Sequence, residues 1–272
     1  MSTWFITGIS RGFGRVLAEE LLSRGHHVVG TTRDGAAPIR HDHLTVYRLD
    51  VRDADQVSTV LQQAAKDAGR IDVVVNNAGF GMVGAVEEVS AAEAERVIAT
   101  NLFGTHNVIR AVLPVLRKQG SGHIVNFSSV GGFAGTAGFG LYNASKFAVE
   151  GLSEALASEV SPLGIGVTIV EPGYFRTEFL SAASAVKADK IIDAYAETSG
   201  KTRDNIGSRD GRQAGDPSKA ARIIIDAVEA PNPPLRLPLG ADCIARMEKK
   251  IEQVQADIAA WRDRATATTF DS

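Results

Sequence analysis

The chain has 272 residues, 44% of them hydrophobic, enough to bury a sizeable core as one α/β domain with an appendage. Its formal net charge of -3 comes from interspersed signs, with no basic stripe or lysine-rich tail, so neither nucleic acid nor a membrane surface is an expected partner. The one cysteine, Cys243, rules out an internal disulfide and a cysteine-based metal site and fits a reducing, cytoplasmic setting.

The first apolar run, Trp4-Phe5-Ile6-Thr7, is a strand candidate that Gly8 breaks too soon for a signal peptide. Further runs rich in β-branched residues follow at 28–31, 44–49, 71–75, 123–127 and 167–170, and none approaches membrane-spanning length. Between them, 16–24, 54–68, a long stretch 91–117 holding Pro114, and 142–160 carry helical spacing of apolar residues. Strand-helix alternation predicts a doubly wound parallel sheet of about seven strands, covered by helices on both faces. The composition changes after Glu178: 182–215 is rich in Ala, Ser, Lys, Asp and Gly and reads as an excursion with a helix near 188–198. Asp216-Pro217 opens another helix as N-cap and first turn, and Leu235-Arg236-Leu237-Pro238 suits only an edge strand. In the last helix Met247, Ile251, Val254, Ile258 and Trp261 form a stripe that either packs on its own domain or makes a seam between subunits. The expected organisation is one domain over 1–272: a core at 1–179, a covering segment at 180–215, and C-terminal helices with the edge strand at 216–272.

Thr7-Gly8-Ile9-Ser10-Arg11-Gly12-Phe13-Gly14 joins the first strand to the first helix, where a dinucleotide pyrophosphate can approach the backbone and meet the helix N-terminus. Its spacing differs from G-x-G-x-x-G. At the end of the second strand, where NAD binding usually needs an acidic residue, stand Thr32 and Arg33. A guanidinium can grip a 2′-phosphate, and Arg11 would approach it from the other side, so NADP(H) is expected in preference to NAD(H). Asp34, next to Arg33, is a counter-argument.

Tyr142-Asn143-Ala144-Ser145-Lys146 puts a phenol and an ammonium one helical turn apart. A free tyrosine titrates near 10, and a neighbouring cation favours its phenolate, so the pair can exchange a proton with an alcohol or alkoxide oxygen. Ser129, thirteen residues before Tyr142, would hydrogen-bond the same oxygen. His41-Asp42-His43 lacks a further clustered ligand, and no metal site is expected.

Together with Asp50-Val51, Asn76-Asn77-Ala78-Gly79, Asn101 and Pro172-Gly173-x-x-x-Thr177, these motifs resemble the short-chain dehydrogenase/reductase family from Thr3 to about Thr177. The resemblance implies that Asp50 and Val51 line the adenine pocket, that Asn77, Ala78 and Gly79 pass along the adenosine side, and that Lys146 holds the nicotinamide ribose. It implies that Pro172, Gly173 and Thr177 receive the carboxamide, with Phe175 in place of a smaller residue in the lid. It selects Ser129 over Ser128, assigns Tyr142 as general acid/base, and gives Asn101 either a water linking Lys146 to solvent or the satisfying of backbone groups. The implied activity is a carbonyl reductase or alcohol dehydrogenase, in a homodimer or homotetramer. Phe80, Met82, Phe133, Phe139, Tyr174, Phe175 and Phe179 would wall a pocket for a lipophilic or aromatic small-molecule carbonyl or alcohol. A dehydratase or epimerase that keeps its cofactor, and an NADP(H)-sensing binding protein, stand as alternatives.

Overall fold

A computed structural model describes residues 1–181 and 184–270, with 208 and 209 described as backbone only. Residues 182 and 183 of the expected covering segment, and 271 and 272 at the carboxyl end, therefore lie outside the described residues.

One parallel sheet organises the chain. Its strands are β1 (Thr3–Thr7), β2 (His27–Thr32), β3 (Leu44–Arg48), β4 (Val73–Asn76), β6 (Gly122–Phe127), β7 (Ile165–Pro172) and β9 (Arg236–Leu239), in the order β3-β2-β1-β4-β6-β7-β9. The order reverses between β1 and β4, which opens a crevice at their carboxyl ends. Side chains alternate across β1: Trp4 and Ile6 join the core under α1 (Gly12–Ser23) and α7 (Pro217–Glu229), whereas Phe5 joins the opposite core. That second core lies under α2 (Ala54–Ala68), α4 (Gly104–Gln119) and α5 (Gly140–Val160). Apolar faces on both sides explain why the strands read as continuous hydrophobic runs.

Local chemistry starts and stops these elements. Asp53 caps α2 by accepting from the Gln56 amide, and Asp216 caps α7 with Pro217 in the first turn. Ser90 and Glu93 form a reciprocal capping box on α3 (Ala91–Ile98). The stretch predicted as one helix over 91–117 is α3, a π-turn at Ala99–Phe103, and α4. Pro114 lies on the exposed side of α4, where the carbonyl it orphans can meet water.

The helix expected near 188–198 starts later. Residues 185–187 form β8 (Ala185–Lys187), which pairs with β5 (Gly81–Val83), and the amides of Asp189 and Ile192 donate to the carboxylates of Glu93 and Glu88. These contacts keep the chain extended until helical turns begin at Asp193 and run into α6 (Lys201–Arg209). Glu88 also receives the buried Arg203 guanidinium, fastening the base of the covering segment. The final helix, α8 (Ala241–Thr266), buries Cys243 and Met247 against the body, but every residue from Ile251 onward is exposed. The expectation that its stripe packs on its own domain holds only for the first two turns. No helix among the described residues is long and apolar enough to cross a membrane.

His123 begins β6 with its ring buried and Nε2 2.9 Å from the Thr168 hydroxyl. Burial holds the imidazole down to about 4, against 6.5 for the free group. Between those values the unfolded chain takes up a proton that the folded chain refuses, so stability falls as pH drops through that window, by at most about 3 kcal/mol. His123→Gln should flatten the dependence of the urea midpoint on pH across that interval. Parallel slopes for variant and wild type would refute this assignment.

Candidate active site

The glycine loop sits at the sheet's switch point. Gly8 and Gly12 have φ of +75° and +59°, where a side chain would be strained. A Cβ on Gly14 would come within 2.3 Å of the Gly8 carbonyl, so helix α1 can seat against the loop only with glycine there. Thr7 Oγ1 accepts the amides of Asn77 and Ala78, and the Asn77 side chain donates to the carbonyls of Thr7 and Gly8 at 3.0 and 2.9 Å. Asn77 thus ties the β4 loop to the glycine loop.

A cleft of about 410 Å³ opens above this junction and runs to α5. All the residues anticipated for cofactor or catalysis line it except Gly14, which lies beneath the loop, and Asn101, which lies behind. At the adenosine end, Thr32 is buried and donates to the Ala36 carbonyl, while the exposed Arg33 stands at the rim. Asp34 is drawn into a turn by the Ala36 amide, which holds its carboxyl below the usual range. Asp50 is paired with Arg52, whose guanidinium lowers its carboxyl.

At the other end, Ser129 follows β6, accepts from the Gly131 amide at 3.0 Å, and shares a hydrogen bond with the Tyr142 phenol. Tyr142 and Lys146, on successive turns of α5, are 7% and 6% exposed, with the Lys146 ammonium 5.9 Å from the centre of the Tyr142 ring. Burial pushes the phenol up to about 12, with Ser129 working in the opposite sense. Burial also lowers Lys146 to about 8, opposed by Glu150. The expected acidification of Tyr142 by Lys146 does not show in the phenol, which burial raises. Loss of water dominates the phenol, and the Lys146 Nζ donates to the Phe127 carbonyl at 2.7 Å.

Asn101 occupies the π-turn. Its amide accepts from Phe80 N and donates to Phe80 O and Ser145 Oγ, each at 3.0 Å. Two of these contacts satisfy the Phe80 backbone in the loop after β4 and the third reaches a side chain of α5, so none serves a backbone group of its own helix. Gly79 separates it from the amine: a Cβ there would stand 3.0 Å from Asn101 Oδ1 and 3.7 Å from Lys146 Nζ.

Beyond β7, Gly173 approaches the start of α8 so closely that a Cβ would meet the Asp242 carboxylate at 2.4 Å, and Asp242 accepts the Tyr174 amide at 2.8 Å. The Phe175 ring packs on Phe13 at 5.2 Å, in space left by Gly215. Thr177 Oγ1 accepts the Phe179 amide. Phe80, Phe139, Tyr174, Phe175 and Phe179 line the cleft as anticipated. Met82 and Phe133 do not: Met82 is core, and Phe133 packs beside Cys243 and Met247.

Two cleft residues escaped the sequence reading. Arg246 of α8 donates to Ala134 O and Thr136 Oγ1, fixing the loop before α5. The Glu178 carboxylate accepts the Gly12 amide at 3.0 Å, so an anion from the chain itself occupies one side of the glycine cradle. Neither lies in a local pattern that could have pointed to it.

A glycine cradle and a Ser-Tyr-Lys cluster with its tyrosine and lysine buried, on one cleft, are the elements of a dinucleotide-dependent oxidoreductase. The sequence profile of the short chain dehydrogenases matches residues 2–188. The chain is similar to oxidoreductase BOA17 of Botryotinia fuckeliana, 36% identical over 97% of this chain and 98% of the relative. It is also similar to the 3-ketodihydrosphingosine reductase of Bacteroides thetaiotaomicron, 39% identical over 86% of each. A short-chain dehydrogenase structure from Streptomyces avermitilis superposes with a TM-score of 0.90 at 39% identity, covering 99% of this chain and 100% of the other. The chain belongs to the short-chain dehydrogenase/reductase family.

A pyrophosphate bound at this loop would compete with the Glu178 carboxylate for the Gly12 amide. Glu178→Ala should tighten binding of the preferred nicotinamide dinucleotide roughly three- to tenfold, the scale of one charge-assisted hydrogen bond plus its repulsion. Titration by nicotinamide fluorescence tests this, and unchanged or weaker binding contradicts it.

Proposed function

We propose that the protein is an NADP(H)-dependent carbonyl reductase of lipophilic or aromatic ketones or aldehydes, with Tyr142 as the proton donor. One observation carries the reading: Ser129, Tyr142 and Lys146 converge on the same cleft that the glycine cradle enters. The residues fit the cofactor by shape, since Gly8 and Gly12 bring bare, positive-φ backbone to the cleft and Gly14 lets α1 seat beneath the loop. Gly8, Ser10, Arg11, Gly12 and Phe13 would hold the diphosphate, Asp50 and Val51 the adenine, and Asn77, Ala78 and Gly79 the ribose side. Pro172, Gly173, Phe175 and Thr177 would flank the nicotinamide, and Lys146 its ribose. Arg33, with Arg11, supports a 2′-phosphate, because Asp34 is turned toward Ala36. Bound there, the nicotinamide supplies the hydride chemistry.

The protein's own contribution is positioning and proton movement. Ser129 Oγ steadies the substrate oxygen as it gains charge, and the Tyr142 hydroxyl gives that oxygen its proton. An alkoxide is a stronger base than a phenolate, so a phenol held near 12 can still protonate it, whereas oxidation would first require the costly phenolate. The raised phenol keeps Tyr142 in its proton-donating form at neutral pH, the form that reduction uses. Lys146 stabilises the phenolate left behind and can return a proton toward it. The aromatic side chains beside Tyr142, with Phe179 at 5.5 Å and Phe139 at 6.0 Å, favour an apolar substrate, and the Bacteroides relative is named for reduction of a keto compound. The organisation we propose is one domain with its covering segment over the substrate, in the cytoplasm.

A panel of ketones and aldehydes assayed by nicotinamide absorbance with each cofactor tests the activity, and net NADPH consumption separates it from dehydration, epimerisation or sensing. With an active substrate, Tyr142→Phe should lower kcat about a hundredfold or more. Retention of most activity would remove Tyr142 from its role. Arg33→Asp should weaken NADPH about tenfold or more relative to NADH, and an unaltered ratio of the two Kd values would remove Arg33 from cofactor choice.

A further inference from the structure

Five large apolar side chains of α8 face solvent: Ile244, Ile251, Val254, Ile258 and Trp261, each at least 40% exposed and Trp261 at 60%. With Met247 they recur at alternating spacings of three and four, which places them along one side of the helix as a two-stranded coiled-coil seam. From Ile251 to Thr266 the helix extends about 24 Å with no buried residue. A helix of that length without tertiary packing is marginal in water, so its regular form calls for a covering partner.

We propose that this seam pairs with the same seam of a second copy of the chain, antiparallel. In the register that matches charge, Ile244 lies opposite the partner's Trp261 and Ile251 opposite the partner's Val254, while Met247 stays packed on its own body at the root of the helix. Lys250 then flanks the seam beside the partner's Asp257, and two-fold symmetry makes that ion pair twice. Sliding the helices toward their tips by one heptad sets Asp257 against its own copy and Lys250 against the partner's Arg264, two repulsive juxtapositions. The antiparallel sense also carries the two bodies to opposite ends of the paired helices, because each body is attached where Cys243 and Met247 are buried. It places each Trp261 against an isoleucine rather than against a second indole.

Sedimentation equilibrium on the full-length protein tests the pairing. Ile251→Glu together with Ile258→Glu should halve the assembled mass while the body keeps its cooperative thermal transition, since both side chains are exposed in the single chain. Lys250→Glu should weaken association roughly tenfold by turning two attractions into repulsions, and adding Asp257→Lys should restore it. The proposal is overturned by a wild-type protein that stays monomeric across micromolar concentrations. It is equally overturned by an assembled mass that the double glutamate variant leaves unchanged, or by a charge swap that fails to rescue.

Discussion

The cleft depends on one junction, where Thr7 and Asn77 bind the ends of β1 and β4 to each other. Strands of a parallel sheet diverge at the point where their order reverses, and nothing in the ladder itself holds the loops beyond them. Thr7 Oγ1 and the Asn77 amide supply that hold through four hydrogen bonds to backbone. With the loop so fixed, α1 can seat at Gly14. Asn77 is thereby a framework residue first, and its neighbours Ala78 and Gly79 form the surface that a nucleotide would meet.

The other half of the site is arranged around burial. Burial holds a phenol more firmly in its neutral form and pulls an amine that water would keep charged toward neutrality. Burying such a pair costs stability. The contact of Lys146 with the Phe127 carbonyl gives the ammonium one partner while leaving further donors for a ligand.

Much of this was legible before any coordinates, for reasons particular to each motif. The Gly8, Gly12 and Gly14 spacing and the Tyr142-x-x-x-Lys146 pair are local in sequence, so helix and turn geometry alone bring their members together. The sheet followed from β-branched runs that only a doubly covered sheet can bury. What stayed hidden depends on distant partners. Asp242 and Arg246 reach residues 68 to 112 positions away, and Glu178 reaches Gly12 across 166 positions. The π-turn around Asn101 has no periodic signature, and β8 is too short to announce itself against the capping carboxylates that extend the chain behind it. Residue spacing conveys proximity of charge but not loss of water, and it is burial that raises the Tyr142 phenol.

The position of α8 has a consequence for biosynthesis. A nascent chain emerging N-terminus first presents the cradle, β6 and α5 before Asp242 and Arg246 exist. Until they arrive, the Tyr174 amide lacks the carboxylate that receives it, the 134–136 loop lacks its guanidinium brace, and β7 is an open edge awaiting β9. The nucleotide half can thus reach its final form on the ribosome while the substrate rim is still unfinished, so truncation from the carboxyl end should strike recognition of the second reactant before that of the first.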